Sequence, residues 1–352
     1  MTTPFYATRE EIKAELDVRE TARSNARIDR ALADASAAVD GLCHRVFYPV
    51  VATRYFDWPN SQGARPWRLW LDASEVISVT TLSSGGTTIA SSDYFLEPNQ
   101  YGPPYNRIEI DLASSAALGG GDTHQRDVGV SGVWAGCPLI ETQAGSIVEA
   151  LDASETGVDV DAATSAAVGV GSLLRVDSER LVVTGRSNLD TGQTLGGSGL
   201  TNQNSAVTVA VASGTAFAAG ETILIDSERM LIEDIAGNNL TVRRAWDGST
   251  IAAHSVGATV YAPRTLTVTR GALGTTAATH LTAASVYRWD APGPVRQLCV
   301  AEALTDLLQG RSGYARTAGA GENEREATGR GLKDLRERVY VSHGRKARTR
   351  AA

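Results

Sequence analysis

Apolar residues near the start of the chain recur at helical spacing. Thr8 stands three residues before Glu11, a capping-box spacing ahead of Ile12 and Leu16. From about Ala26, the residues Ile28, Leu32, Ala35, Val39, Leu42 and Val46 follow at steps of 4, 3, 4, 3 and 4. That rhythm puts one apolar stripe on one face of a long helix. Pro49 is expected to end it, because proline cannot donate to the helix ladder. Arg27, Asp29, Arg30, Asp34 and Asp40 fall on the opposite face, which reads as solvated or as a mixed-charge subunit contact.

From Val51 to about Val133 the pattern shortens to runs such as Val76–Val79, Tyr94–Leu96 and Arg107–Ile110, punctuated by turns such as Gly85-Gly86. These predict strands and hairpins. Trp58, Trp67 and Trp70 crowd one loop and are expected to pack it onto the helices. The stretch 138–290, rich in Thr, Val, Ala and Gly, repeats itself. Val176-Asp-Ser-Glu-Arg180 returns 49 residues later as Ile225-Asp-Ser-Glu-Arg229. A second offset, of 26, relates Leu240-Thr-Val242 to Leu266-Thr-Val268, His254 to His280 and Tyr261 to Tyr287. Two unrelated offsets predict a small duplicated β-domain rather than a long solenoid.

Helix returns at Pro294, with Val295, Leu298, Cys299, Ala301, Leu304, Leu307 and Leu308 forming a broad apolar face and Gly310 a plausible stop. A Gly-rich linker, 312–321, leads to a last helix over 322–341. Its stripe, Leu332, Leu335 and Val339, is too narrow to hold a helix alone, so it is expected to lie against another chain. Arg345, Lys346, Arg348 and Arg350 make a basic tail.

Charge narrows the function classes. The formal net charge is −7, so the chain as a whole has no net attraction for nucleic acid. All of that charge sits in 138–290, with 16 acidic and 9 basic residues, whereas from Arg311 onward 11 basic residues face 5 acidic ones. Arg outnumbers Lys 30 to 3, which we read as a GC-rich coding genome before a binding surface. Cys43, Cys137 and Cys299 are too few and too scattered for a disulfide framework or a zinc site. The opening residues carry no signal-peptide pattern, and no run of 18 apolar residues offers a membrane span. A soluble protein made in the cytoplasm is expected.

Candidate chemistry is thin. Asp177-Ser178-Glu179 and Asp226-Ser227-Glu228 place a hydroxyl between carboxylates, but no histidine is near in sequence to act as base, and each string sits where a hairpin turn belongs. His254 and His280 read as packed or capping residues, since no Cys or His partner is close. Asp152, Asp159 and Asp161 lack the calcium-loop pattern, and Gly119-Gly120-Gly121 lacks the Lys of a phosphate loop. No catalytic, metal or cofactor residue is assigned, and no enzyme is expected.

With 138–290 set aside, Gly129-Val-Ser-Gly-Val-Trp-Ala-Gly-Cys137 runs into Ala291-Pro-Gly-Pro-Val-Arg-Gln-Leu298. This resembles head-to-tail connector proteins of long-tailed double-stranded DNA phages, where a Val-x-Gly-x-Trp-Gly strand leads to a Pro-x-x-Val helix start. The acidic first helix, the helix from Arg27 to Asp40 and the Pro49 stop resemble the family's opening helices, and the loop from Tyr94 to Tyr101 is a looser echo. The resemblance covers about 200 of the 352 residues and departs from compact members in the large insertion.

The resemblance implies an α+β fold: a small helical bundle with a β-hairpin excursion, interrupted by an inserted all-β repeat domain and ending in C-terminal helices. Residues 1–137 plus 291–352 would form the connector core, and 138–290 the inserted domain. It implies a virion neck adaptor, a ring usually of twelve subunits, with four partners: the portal protein above, a stopper protein below, its own copies, and genomic DNA passing non-specifically through the channel. Leu332, Leu335, Val339, Arg345, Lys346, Arg348 and Arg350 are the expected portal-docking residues. Ile28, Leu32, Val39, Leu42, Leu298, Leu304 and Leu307 are the expected core or subunit helix residues. Two other classes stand beside this one: a neck-appendage or tail recognition module whose β insertion binds a glycan or virion protein, and a hydrolase using the Asp/Glu pairs.

Overall fold

The computed structural model describes residues 3–16, 22–59, 65–311, 317–318, 325–326 and 330–345. Two helices open the chain, α1 (Arg9–Leu16) and α2 (Ala22–Cys43). The Thr8 hydroxyl accepts the Glu11 N–H at 3.3 Å, so the predicted cap is made, while the Glu11 side chain pairs with Arg296 instead of reaching back. On α2, Ile28, Leu32, Ala35, Val39 and Cys43 are buried and Leu42 is half-buried. The helix stops well before Pro49 because His44 turns left-handed (φ 53°), a conformation that closes a helix C-terminus. Val46 is therefore exposed and not part of the stripe.

The described chain divides into two compact units. One comprises 40–140, 273–275 and 343–352. Its strands are β1 (Val50–Phe56), β2 (Arg68–Trp70), β3 (Val76–Ser84), β4 (Thr87–Ile89), β5 (Tyr94–Glu97), β6 (Arg107–Ile110) and β7 (Val128–Trp134). They pair antiparallel in two sheets, β1-β7-β3-β4 and β2-β6-β5. Leu69, Leu71, Val76, Leu82, Ile108, Val128, Val130 and Trp134 form the core. Trp58 and Trp67 pack against this β core and not onto helices as expected. At Gly132 the β3 backbone comes so close that a Cβ would meet the Ser78 carbonyl oxygen at 2.1 Å.

The other unit comprises 1–39, 141–272 and 276–342. It holds β8 (Glu141–Ser146), β9 (Gly157–Asp159), α3 (Ala162–Ala167), β10 (Leu173–Val176), β11 (Glu179–Thr194), β12 (Thr208–Ala210), β13 (Thr222–Ile225), β14 (Glu228–Ala236), β15 (Asn239–Arg243), β16 (Thr259–Thr269) and β17 (Ser285–Trp289). These strands form one antiparallel sheet in the order β12-β15-β14-β13-β16-β11-β10-β17-β8, with β9 on β16. Helices α4 (Gly293–Arg311) and α5 (Arg330–His343) follow.

The two offsets are a single duplication. Ile225 pairs with Val260 and Ile232 with Val242; shifting the first member back by 49 and the second forward by 26 gives Val176 with Val286 and Val183 with Val268, which also pair. The chain thus runs through the first half of copy one, all of copy two, and then the second half of copy one. Nesting makes the offsets unequal. Each copy has its own apolar core, one around Leu174, Leu181, Val183, Leu266 and Val268, the other around Ile223, Met230, Ile232, Leu240 and Val242.

The helices pack with this β module. The Phe5 N–H donates to the Gly171 carbonyl and the Arg9 N–H to that of Val170, at 2.9 and 3.1 Å, while the Glu10 carboxylate accepts the Val170 N–H at 2.8 Å. The Ser36 hydroxyl lies 3.5 Å from the Cys299 sulfur, joining α2 to α4, and Arg336 forks onto Glu302, joining α5 to α4. The fold is mixed α and antiparallel β, as expected in class, but it is β-rich rather than a small helical bundle: the backbone of the repeat module supplies part of what the helices pack on. Dividing the chain into 1–137 plus 291–352 and 138–290 follows composition, whereas the compact units follow packing. Among the described residues, no helix is long and apolar enough to cross a membrane.

Leu181→Ala and Met230→Ala remove equivalent side chains from separate cores. Each should cost about 2–5 kcal/mol, and the two losses should add to within about 0.5 kcal/mol in urea denaturation.

Candidate functional site

The repeated Asp-Ser-Glu-Arg strings do form hairpin turns. Val176 faces Glu179 across Asp177-Ser178, and Ile225 faces Glu228 across Asp226-Ser227. The first turn residue is left-handed in both, Asp177 at φ 50° and Asp226 at φ 52°, a conformation aspartate tolerates. The next inward-pointing residue is the glutamate, and both glutamates are fully buried.

Each buried carboxylate meets an arginine fork. Arg270 Nε and Nη2 donate to Glu179 at 2.7 and 2.8 Å, and Arg244 does the same to Glu228 at 2.7 Å through both nitrogens. Two backbone N–H groups add to each: Gly271 and Ala278 on Glu179, Ala245 and Ala252 on Glu228. His280 then bridges Glu179 (Nε2, 2.9 Å) to the turn residue Asp177 (Nδ1, 2.7 Å). His254 bridges Glu228 to Asp226 at the same two distances. Since both ring nitrogens face carboxylates, only the doubly protonated imidazole donates to both.

The arginines are equally occupied. Arg270 also donates to the carbonyls of Asp152, Glu155 and Ala278, and Arg244 to those of Thr201, Ala206 and Ala252. Burial alone would push each glutamate carboxyl up. The arginine fork, backbone N–H groups and histidine outweigh it and hold both at about 2. With every acceptor position filled by the protein's own donors, neither glutamate retains a lone pair for a substrate or a metal ion. The histidine nitrogens are spent on carboxylates and do not activate Ser178 or Ser227. The three thiols are no better placed as nucleophiles: all are buried, and burial raises Cys137 to about 12 and Cys299 to about 11.

The histidines and the Asp-Ser-Glu strings, read separately in the sequence, are therefore one constellation. His280 lies 101 residues from Glu179, and His254 lies 26 from Glu228. Arg244 and Arg270 were missed as members although they share the 26-residue offset, each two positions beyond a Leu-Thr-Val run. Of the residues expected to dock on a portal, Leu335 and Val339 are buried within this chain and Leu332 is half-buried, so the stripe is largely covered without a second chain. Arg345 lies 3.6 Å from Glu75, and Lys346, Arg348 and Arg350 fall outside the described residues. Of the helix residues, Ile28, Leu32, Val39, Leu298 and Leu307 are buried, while Leu42 and Leu304 are half-buried.

Glu179→Gln or Glu228→Gln leaves a buried guanidinium without its counter-charge and should cost about 3–5 kcal/mol, measured by chemical denaturation. Asp177→Asn, at a largely exposed turn, should cost less than about 1 kcal/mol. The nodes also set acid stability. A carboxyl held at about 2 in the fold, against an ordinary 4.5, contributes stability that is complete above pH 4.5 and is lost as pH falls through 2. Unfolding free energy followed from pH 6 downward should therefore fall more gently in Glu179→Gln than in the parent. Compared with family models, with curated proteins and with solved structures, the chain matches none.

Proposed function

We propose that this protein is a structural head-to-tail adaptor of a phage virion without catalytic activity. It would form a ring beneath the portal, extend the channel through which double-stranded DNA passes, and offer its far rim to a stopper protein and then the tail. The observation that carries the reading is the order of two segments. Val130-x-Gly-x-Trp134 lies on strand β7, and Gly293-Pro294-Val295 opens helix α4, the element types that the connector pattern requires of them. The saturated carboxylates favour a structural role over a hydrolase for the Asp-Ser-Glu strings.

The burial of Leu335 and Val339 refines which part of α5 would meet a portal. Docking would fall to the side that stays exposed, which includes Arg338, Tyr340 and Val341. Truncation after Gly310 should weaken capture by purified portal, and unchanged capture would remove α5 as the anchor.

Cryo-electron microscopy of virions containing this protein tests the reading directly. A ring of it between portal and stopper is the expected result. Density on fibres or at the tail tip would overturn the adaptor reading and favour a recognition module.

A further inference from the structure

Arg54, on β1, is half-buried and lines a cleft of about 340 Å³ in the unit built around 40–140. Its guanidinium carbon sits 4.4 Å from the centre of the Trp134 ring. The ring is held in place because its indole N–H donates to the Ala52 carbonyl at 2.9 Å. No carboxylate among the described residues lies within ion-pair distance of Arg54.

Two more arginines line the same cleft and share a single glutamate. Arg45 Nη2 is 3.4 Å from one oxygen of Glu75, and Arg345 Nη2 is 3.6 Å from the other. Arg45 Nε is buried without a hydrogen-bond partner. Asp40, His44 and Tyr48 are the other titratable groups of the lining, in which three guanidinium groups face two carboxylates. Burial and the neighbouring charge of Arg345 both depress the Arg54 pKa, as expected of a cation short of counter-charge.

We propose that this cleft is an oxyanion site for a phosphate group, with Arg54 and Arg345 as its donors and Trp134 as its rigid wall. Glu75 meets Arg45 and Arg345 through one guanidinium nitrogen each, at ion-pair distance and without a bidentate fork, so it leaves donors on both unspent. What Arg54 lacks is an acceptor that can take donors from several directions at once. A tetrahedral phosphate does this, and guanidinium forks match its oxygens. The phosphate could be free or part of a nucleic-acid backbone. The inference stands on the cleft and does not depend on the adaptor reading.

Isothermal titration of the full chain with inorganic phosphate at low ionic strength tests the site, with a short DNA duplex as competitor. Saturable phosphate binding is expected, weakened about tenfold or more in Arg54→Gln and unchanged in Arg243→Gln, an exposed arginine of the other unit. Arg345→Gln repeats the test from the second donor should Arg54→Gln fail to fold. Displacement of phosphate by the duplex would identify a nucleic-acid backbone as the source, and lack of displacement would identify free phosphate. Unsaturable binding, or equal loss in Arg243→Gln, would overturn the site.

Discussion

A buried carboxylate gripped by an arginine fork and bridged by histidine to a turn aspartate is the interaction on which the repeat module depends. Glu179 and Glu228 each tie the hairpin that carries them to the chain after the next strand and to the histidine loop. Through Arg270 and Arg244 the grip extends to segments 152–155 and 201–206. The ion pair itself does not have to be the source of net stability, because desolvating both partners costs about what their attraction returns. Its consequence is uniqueness. A hairpin that slipped by one residue would turn the glutamate outward and strand an arginine inside.

The same node appears twice because the module is a duplication with one copy threaded into the other. Strand β16 belongs to both copies: its first residues close copy two through Val260 and Tyr261, and its last close copy one through Leu266–Thr269. A continuous sheet results, with a separate core beneath each half. Copies that share a strand have little freedom to move apart, which suits a scaffold more than a hinge.

Much of the local structure was legible in the chain. Thr8 and Glu11 marked the first cap, the 28–39 stripe marked α2, Gly85-Gly86 marked a turn that both glycines take with positive φ, and Asp177-Ser178 marked a hairpin. These are short-range signals, decided by backbone propensity and side-chain period within a few residues. The end of α2 was misplaced because a left-handed histidine has no strong sequence mark, whereas proline does. The helical bundle was overdrawn for a related reason. Apolar stripes on α1, α2 and α4 say that a face is covered, not whether a helix or a β module covers it.

The candidate site followed the same division. By itself the sequence determined that Asp-Ser-Glu-Arg sits at two turns, that His254 and His280 are equivalent, and that α5 carries a narrow stripe. Only the tertiary structure decided that these turns and histidines meet, that Arg244 and Arg270 complete them, and that the stripe is covered by its own chain. It also decided that Arg54 stands near Arg345 with no carboxylate of the described residues within ion-pair distance of Arg54. The physical reason is range. Propensity and periodicity act over one or two turns of chain, but counter-charge and burial are settled by groups brought together across tens of residues, 101 in the case of Glu179 and His280.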